Sequence, residues 1–100
     1  MSRISLTGDA RQDLKGIYDL IADDNIAAAH KQIRRLQERW RMLLDQPRIG
    51  AKRDDIRPDM RSITEGNYAI FYRVTDSGIQ IIRVLHTSMD VVHAFKQMQD

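Results

Sequence analysis

Five arginines within or just before predicted strands are the residues best suited to bind phosphates or an acidic partner. They are Arg53, Arg57, Arg61, Arg73 and Arg83. Arg73 and Arg83 stand inside otherwise apolar strands, where a cation needs an ion pair or an exposed face to offset its desolvation. A carboxylate such as Asp59 or Asp90 could supply that ion pair. Arginines left without a carboxylate would form a positively charged binding surface.

The turn between the last two predicted strands decides whether Arg73 and Arg83 lie on one face of the sheet. A three-residue loop at 76–78 would place Phe71 opposite Arg83, and both arginines would then face the same side. A two-residue loop at 76–77 would place them on opposite sides. The sequence leaves both registers open.

Histidines and nucleophiles offer little support for catalysis. His30, His86 and His93 include no pair at the i, i+4 spacing by which one helix presents two ligands to a metal. Ser88, His86 and Asp90 are close in sequence, but closeness in sequence does not establish the geometry of a catalytic triad. The chain also has no cysteine, glycine-rich phosphate loop, HExxH or GxSxG. We therefore predict no metal and no cofactor.

Size and charge indicate one domain over residues 1–100, with 42% hydrophobic and 30% charged residues. The net charge of +2 is unevenly distributed, with local balances of −2 over residues 1–24, +5 over 25–61 and −1 over 62–100. The middle is therefore the basic part, either as a solvated helix face or as a surface for an acidic partner or phosphates. No signal peptide or membrane span is predicted, and a reducing cytoplasm fits the lack of cysteine.

Two amphipathic helices are predicted in the first half of the chain. Apolar residues recur at helical spacing over residues 8–22, after Thr7 as the N-cap. Asn25 caps a longer helix that ends near Asp45, because Pro47 prevents its continuation. The short connection between the helices predicts an antiparallel hairpin.

The second half has the alternation and turns of a sheet. Strand patterns occur at residues 3–6, 60–65, 68–75 and 79–86. The last three are joined by short turns and must form an antiparallel meander, whereas 48–59 has the composition of a loop. Asp90 caps a final helix over 91–99. We predict an α+β fold in which the helical hairpin packs on a small antiparallel sheet, with a short C-terminal helix.

Linked segments of the chain resemble the RelE/ParE toxin superfamily, and its ParE branch in particular. The resemblance is carried by residues 55–63, 66–74 and 81–90, including the Tyr-x-x-x-Tyr-Arg-Val strand at 68–74 and Arg-Val-Leu-His at 83–86. Pro47 and Gly50 after the second helix, and Arg61 before the central strands, also match. The similarity covers nearly the whole chain.

This resemblance implies a toxin of a type II toxin–antitoxin system, which commonly serves plasmid stabilisation. A ParE-type toxin is expected to inhibit DNA gyrase by binding, as a cytoplasmic protein, and not to be an enzyme. A ParD-like antitoxin is expected to wrap and neutralise it in a hetero-oligomer. Contact with DNA is expected only indirectly, through the antitoxin, because the chain has no recognisable DNA-reading helix.

The alternative implied by the superfamily is a ribosome-dependent mRNA endonuclease of the RelE kind. Its candidate catalytic residues are Arg57, Arg61, Arg73, Arg83 and His86, which would bind phosphate or transfer protons. RelE-like nucleases often have a tyrosine near the C-terminus, whereas the C-terminal helix here has none. This departure favours the gyrase inhibitor.

Two sets of candidate binding residues follow from the ParE interpretation. The target-binding candidates are Arg61, Arg73, Arg83 and His86. The antitoxin-binding candidates are the apolar residues of the hairpin, Leu14, Ile17, Tyr18, Ile21, Ile33, Leu36 and Trp40. Most of the second set is expected to form the protein's own core, which leaves only the outer few for a partner.

Overall fold

The computed structural model describes residues 3–97, in which three helices pack against one sheet. The order is β1 (Arg3–Leu6), α1 (Gly8–Ala22), α2 (Ile26–Arg41), a 3-10 turn (Met42–Leu44), β2 (Ala51–Lys52), β3 (Arg61–Glu65), β4 (Tyr68–Thr75), β5 (Gly78–His86) and α3 (Val91–Lys96). The predicted α+β class is confirmed, with helix and strand bounds close to those expected. The predicted end of the last helix, at residue 99, lies outside the described residues.

Side-chain caps begin each helix where the sequence predicts. The Thr7 hydroxyl accepts from the Ala10 N–H, and the Asn25 and Asp90 side chains make the equivalent bonds to the third residue of their helices. Such caps satisfy amide groups that a helix leaves without partners at its start, and each contributes about 1 kcal/mol. Only two residues, Asp23 and Asp24, separate α1 from the second cap, so α1 and α2 form the predicted hairpin.

The sheet has five strands in the order β1-β5-β4-β3-β2. Strands β3, β4 and β5 form the predicted antiparallel meander. The whole sheet is mixed, however, because β1 pairs in parallel with β5. The predicted loop 48–59 also contains β2, which pairs antiparallel with β3 over two residues. A pairing as short as β2 leaves too little alternation to be recognised in the sequence.

A bulge places Arg73 and Arg83 on the same face of the sheet. The turn between β4 and β5 is the two-residue one, because Thr75 pairs with Gly78. That turn alone would put the two arginines on opposite sides. A register shift between Phe71 and Tyr72 inserts one extra residue, Ile82, on β5, and Phe71 is again opposite Arg83.

Each face of the sheet carries its own apolar cluster. The helix-facing cluster packs the hairpin on the sheet and includes fully buried Leu36, Leu43 and Tyr72. The opposite face carries a smaller cluster of Met60, Phe71, Ile82, Leu85 and Phe95, covered by α3 and the loop before β3. The ring of Phe95 meets the ring of Phe71 edge-on at 5.3 Å between centroids, which fastens α3 to the sheet.

Residues that follow β1 complete the edge of β5. The Thr7 N–H donates to the Ile81 carbonyl, and the Thr7 hydroxyl donates to the Ile82 carbonyl at 2.7 Å. The start of β5 needs glycine, because Gly78 has φ 145° and a Cβ there would overlap the backbone of Arg3. The parallel edge strand therefore depends on a residue that lacks a side chain.

Candidate functional site

Arg83 is held in a nearly enclosed ion pair that joins three elements. Its guanidinium donates to both carboxylate oxygens of Asp13 on α1, at 2.7 and 2.9 Å, and to the Ala94 carbonyl of α3 at 3.3 Å. Asp13 also accepts the Val84 N–H at 2.9 Å, on the part of β5 that β1 does not reach. These hydrogen bonds with Asp13 raise the pKa of Arg83.

The ion-pair partners suggested by the sequence were wrong. Asp90 caps α3, and Asp59 lies in the loop before β3, where its N–H donates to Asp54. Arg83 pairs instead with Asp13, 70 positions away in sequence. The pair forms because α1 crosses the edge of β5, a placement that no local pattern reveals.

Arg61 and Tyr72 anchor the chain that follows the hairpin. Arg61 donates to the carbonyls of Arg48 and Gly50, at 3.1 and 2.8 Å. The Tyr72 hydroxyl donates to the Pro47 carbonyl at 2.8 Å and accepts the Gly50 N–H at 2.9 Å. Burial raises the pKa of Tyr72, so the hydroxyl stays protonated and can donate.

Two further arginines cover the smaller apolar cluster. The Arg53 guanidinium lies 5.5 Å from the centre of the Phe71 ring, and Arg57 lies 5.4 Å from the centre of the Phe95 ring. These are cation–π contacts, which stabilise by about 0.5–1 kcal/mol at exposed sites. Arg53 also makes a two-point ion pair with Asp55. Both arginines therefore help to hold the loop on the sheet.

Arg73 is the exposed arginine of the candidate set and lies between two joined clefts. Its Nε donates to Gln80 at 2.7 Å. A cleft of about 710 Å³ has Met60 and Ile82 among its lining residues and reaches the start of α1 and Arg57. A second cleft of about 510 Å³ has Arg61 and the end of β4 among its lining residues. Arg73 and Met60 line both, and we call the pair of cavities the Arg73 clefts.

His86 stands apart from the arginines. It lies opposite Tyr68, and the two rings meet edge-on at 5.5 Å on the helix-facing side of the sheet. The Ser88 N–H donates to His86 Nδ1 at 3.1 Å, so Nδ1 is an acceptor. The Ser88 hydroxyl also lies 2.7 Å from Nδ1. The Asp90 carboxylate does not join them, because it accepts the backbone N–H of His93. The sequence trio therefore does not form a triad.

The antitoxin candidates on the hairpin divide into two groups by burial. Ile17, Leu36 and Trp40 are buried in the core, which leaves them little surface for a partner. The other four are only partly buried, namely Leu14, Tyr18, Ile21 and Ile33. The Tyr18 hydroxyl lies 3.2 Å from His30 Nε2, which links α1 to α2. Three of the seven candidates are therefore buried, and four keep surface that a partner could contact.

Exposed apolar residues at the tip of the hairpin were missed by the sequence analysis. Leu20 at the end of α1 is 72% exposed, and Ile26 at the start of α2 is 62% exposed. Helical spacing could have found Leu20, because it lies off the apolar stripe of α1. These two residues therefore expose apolar side chains at the hairpin tip.

Within residues 3–97, no group of three histidine or acidic side chains is arranged to hold a metal ion. No helix in that range is both long and apolar enough to cross a membrane.

Comparison with known proteins gives concordant matches over most of the chain. The family described as the ParE toxin of the type II toxin–antitoxin system parDE matches residues 4–91. Toxin ParE1 of Mycobacterium tuberculosis (strain H37Rv) is 39% identical over 92 residues, which cover 90% of this chain and 94% of that protein. Toxin ParE3 of Caulobacter vibrioides is 26% identical over 91% of this chain and 92% of its own length.

A solved structure supports the same grouping. The chromosomal ParDE toxin–antitoxin system from P. aeruginosa contains a chain that superposes with a TM-score of 0.72 at 27% identity. The match covers 86% of this chain and 96% of that one. The similarity therefore extends over the helical hairpin and the sheet together.

Proposed function

Because the chain belongs to the ParE toxin family of type II toxin–antitoxin systems, we propose that it inhibits DNA gyrase by binding. We further propose that a ParD-like antitoxin neutralises it in a cytoplasmic hetero-oligomer, in a module that serves plasmid stabilisation. In this proposal the chain has no catalytic residues and needs no cofactor. Its effect depends on the affinity of its surface for the target.

The observation that carries the proposal is the separation of His86 from the arginines. An RNase of this kind needs cations and a proton-transfer group converging on one phosphodiester. His86 packs against Tyr68 on the helix-facing side of the sheet, whereas Arg73 and Arg83 lie on the other side. Arg83 is also committed to Asp13, and Arg61 to two loop carbonyls. Arg57, Arg61 and Arg73 line the Arg73 clefts, whereas His86, the proton-transfer candidate, lies on the other side of the sheet.

The Arg73 clefts provide the surface best suited to a protein target. Exposed Arg73 lies between the two cavities, and the larger one is lined in part by Met60 and Ile82, which are almost fully buried. Arginine is among the residues most enriched at binding hot spots. Of the four target-binding candidates, we therefore assign Arg73 a direct contact. Arg61 and Arg83 act by holding the loop and α3 around it.

The hairpin provides the surface best suited to the antitoxin. Antitoxin segments that fold on binding bury apolar residues in grooves or against exposed faces. The hairpin offers exposed Leu20 and Ile26 at its tip, and partly buried Tyr18 and Ile21 on the apolar stripe of α1. Leu14 and Ile33 extend this surface along the seam between the helices. Burial of these residues would also stabilise the folded toxin.

Two assays on the purified chain test the proposal, each with and without the cognate antitoxin. One measures supercoiling of relaxed plasmid by gyrase, and the other measures cleavage of ribosome-bound mRNA. We expect inhibited supercoiling, intact mRNA and full reversal by the antitoxin. Cut mRNA with normal supercoiling would transfer the protein to the nuclease class and contradict the proposal. Inactivity of a folded chain in both assays would also contradict it.

An Arg73→Ala variant tests the assigned surface. Loss of a hot-spot arginine costs about 2 kcal/mol or more, so inhibition should require at least about thirty times more protein. Lys96→Ala is the matched control, because Lys96 is an exposed cation on α3. Equal inhibition by the wild type and the Arg73→Ala variant would exclude the Arg73 clefts as the target-binding surface.

A further inference from the structure

The outer side of α2 carries a row of cations that the fold does not use. The row consists of Lys31, Arg34, Arg35 and Arg41, which we call the α2 row. All four side chains are exposed. Within residues 3–97, none of them has a hydrogen bond or an ion pair. Arg39 on the same helix differs, because it donates to the Thr64 carbonyl, and so does Arg83, which is paired with Asp13.

The helix presents the α2 row in one direction. At 3.6 residues per turn, the four positions fall within an arc of about 120° and extend over about 15 Å of helix. Buried Leu36 and Trp40 lie on the opposite side of α2, against the sheet. The row therefore projects from a rigid, well-packed helix directly into solvent.

Nearby carboxylates reduce the positive charge of this surface without cancelling it. Glu38 lies within the same arc of α2 and is exposed. On α1, Asp19 is already paired with Lys15 at 2.9 Å. Asp23 and Asp24 lie at the hairpin tip, beyond the N-terminal end of the row. Four cations to one carboxylate remain along the outer side of α2.

We infer that the α2 row binds the phosphate backbone of duplex DNA without regard to sequence. Its composition favours a polyanion over a protein, because the centres of protein interfaces contain aromatic and apolar residues, whereas the row consists of cations alone. Single-stranded nucleic acid is disfavoured, because such sites stack bases on aromatic side chains and the row has none. The choice of DNA over RNA rests on the proposed function, since gyrase acts on duplex DNA.

The dimensions of the α2 row match those of a duplex. About 15 Å of helix corresponds to four or five base pairs, at 3.4 Å per phosphate along each strand. Four phosphate contacts predict a slope of about −3.6 for log K against log salt concentration. Such binding would be weak at physiological salt. It departs from the expectation that the chain meets DNA only through the antitoxin, because the toxin would then contact DNA directly.

The test is fluorescence anisotropy of a labelled 20-base-pair DNA duplex of arbitrary sequence, titrated with the purified chain at several potassium chloride concentrations. The variant Arg34→Gln/Arg35→Gln removes half of the row while keeping good helix formers. The control Arg3→Gln/Lys96→Gln removes the same charge from exposed positions on β1 and α3. An RNA duplex of equal length and poly-glutamate serve as competing ligands.

We expect the wild type and the control to bind DNA alike, and the Arg34→Gln/Arg35→Gln variant to bind at least tenfold more weakly with the slope reduced by about two. Absence of DNA binding at 50 mM salt, equal losses in both variants, or preferred binding of RNA or poly-glutamate would each overturn the inference. Supercoiling assays keep the two proposals apart. Gyrase inhibition without DNA binding removes only this inference, and DNA binding without inhibition removes only the proposed function.

Discussion

The two faces of the sheet differ in how they are covered. The helix-facing side is closed by the whole hairpin, whose side chains interlock with β4 and β5 around Leu36 and Tyr72. The opposite side is covered by short α3 and by two arginines lying over aromatic rings. The first arrangement is typical of a core that sets stability. The second leaves clefts and an exposed cation, which are typical of a surface that binds.

The largest effect is expected from Leu36→Ala on the helix-facing side. Leu36 is fully buried, and truncation of such a leucine costs about 2–5 kcal/mol. For a domain of this size that is a large part of the total stability. Urea unfolding followed by circular dichroism measures the change. A loss below about 1 kcal/mol would mean that this side is not the dominant core.

A smaller loss is expected from Asp13→Ala, which breaks the link between the two sides. The variant leaves the Val84 N–H without its acceptor and the Arg83 guanidinium with only the Ala94 carbonyl, in a nearly enclosed position. The side chains of Asp13 and Arg83 are only 13% and 14% exposed, so we expect a loss of about 2–3 kcal/mol. The matched control is Lys15→Ala at the exposed pair with Asp19, which should cost less than about 0.5 kcal/mol. Equal losses would contradict the structural role of Asp13.

Tyr72→Phe tests how the helix-facing side anchors the loop after the hairpin. The variant removes one donor and one acceptor, and we expect a loss of about 1–2 kcal/mol at pH 7. Because the folded protein raises the pKa of Tyr72, the stability from its protonated form is present below pH 10 and lost as pH rises beyond it. The variant should therefore lose less stability than the wild type between pH 9 and 11. If the stability of both proteins fell equally over this pH range, ionisation of Tyr72 would not contribute to the loss of stability at alkaline pH.

The smallest effect is expected at Asp55 on the opposite side. Its hydrogen bond with Arg53 lowers the pKa of Asp55, so the stabilising contribution is present above the usual value near 3.8 and lost as pH falls through the lowered one. Asp55→Asn should make the acid unfolding curve slightly shallower below pH 4. Asp76→Asn, in the exposed turn before β5, is the control and should leave the curve unchanged.

Local features of the chain could be predicted because their causes are local. The caps at Thr7, Asn25 and Asp90 each act within three residues, and the tight turn at Gly66 needs only its positive φ. Periodicity also placed both helices and the meander. The family resemblance implied the same architecture that these patterns predict.

Features that depend on distant contacts could not be predicted. The parallel pairing of β1 with β5 and the ion pair of Asp13 with Arg83 each join residues 70 or more positions apart. The bulge at Ile82 changed the register that the two-residue turn implies. The sequence indicated that most apolar residues of the hairpin would be buried, but it did not single out Leu36 and Trp40. Which cations the fold uses, and which it leaves exposed, became visible only in three dimensions.

The parallel pairing of β1 with β5 has a consequence for the synthesis of the toxin. Because Arg3 lies beside Gly78, the edge strand cannot dock until most of the chain has left the ribosome. Closing so long a loop is slow compared with forming the hairpin or the meander. The nascent chain should therefore remain incomplete, with its sheet open, through most of translation. A newly made antitoxin would have that interval in which to meet a toxin that has not yet finished folding.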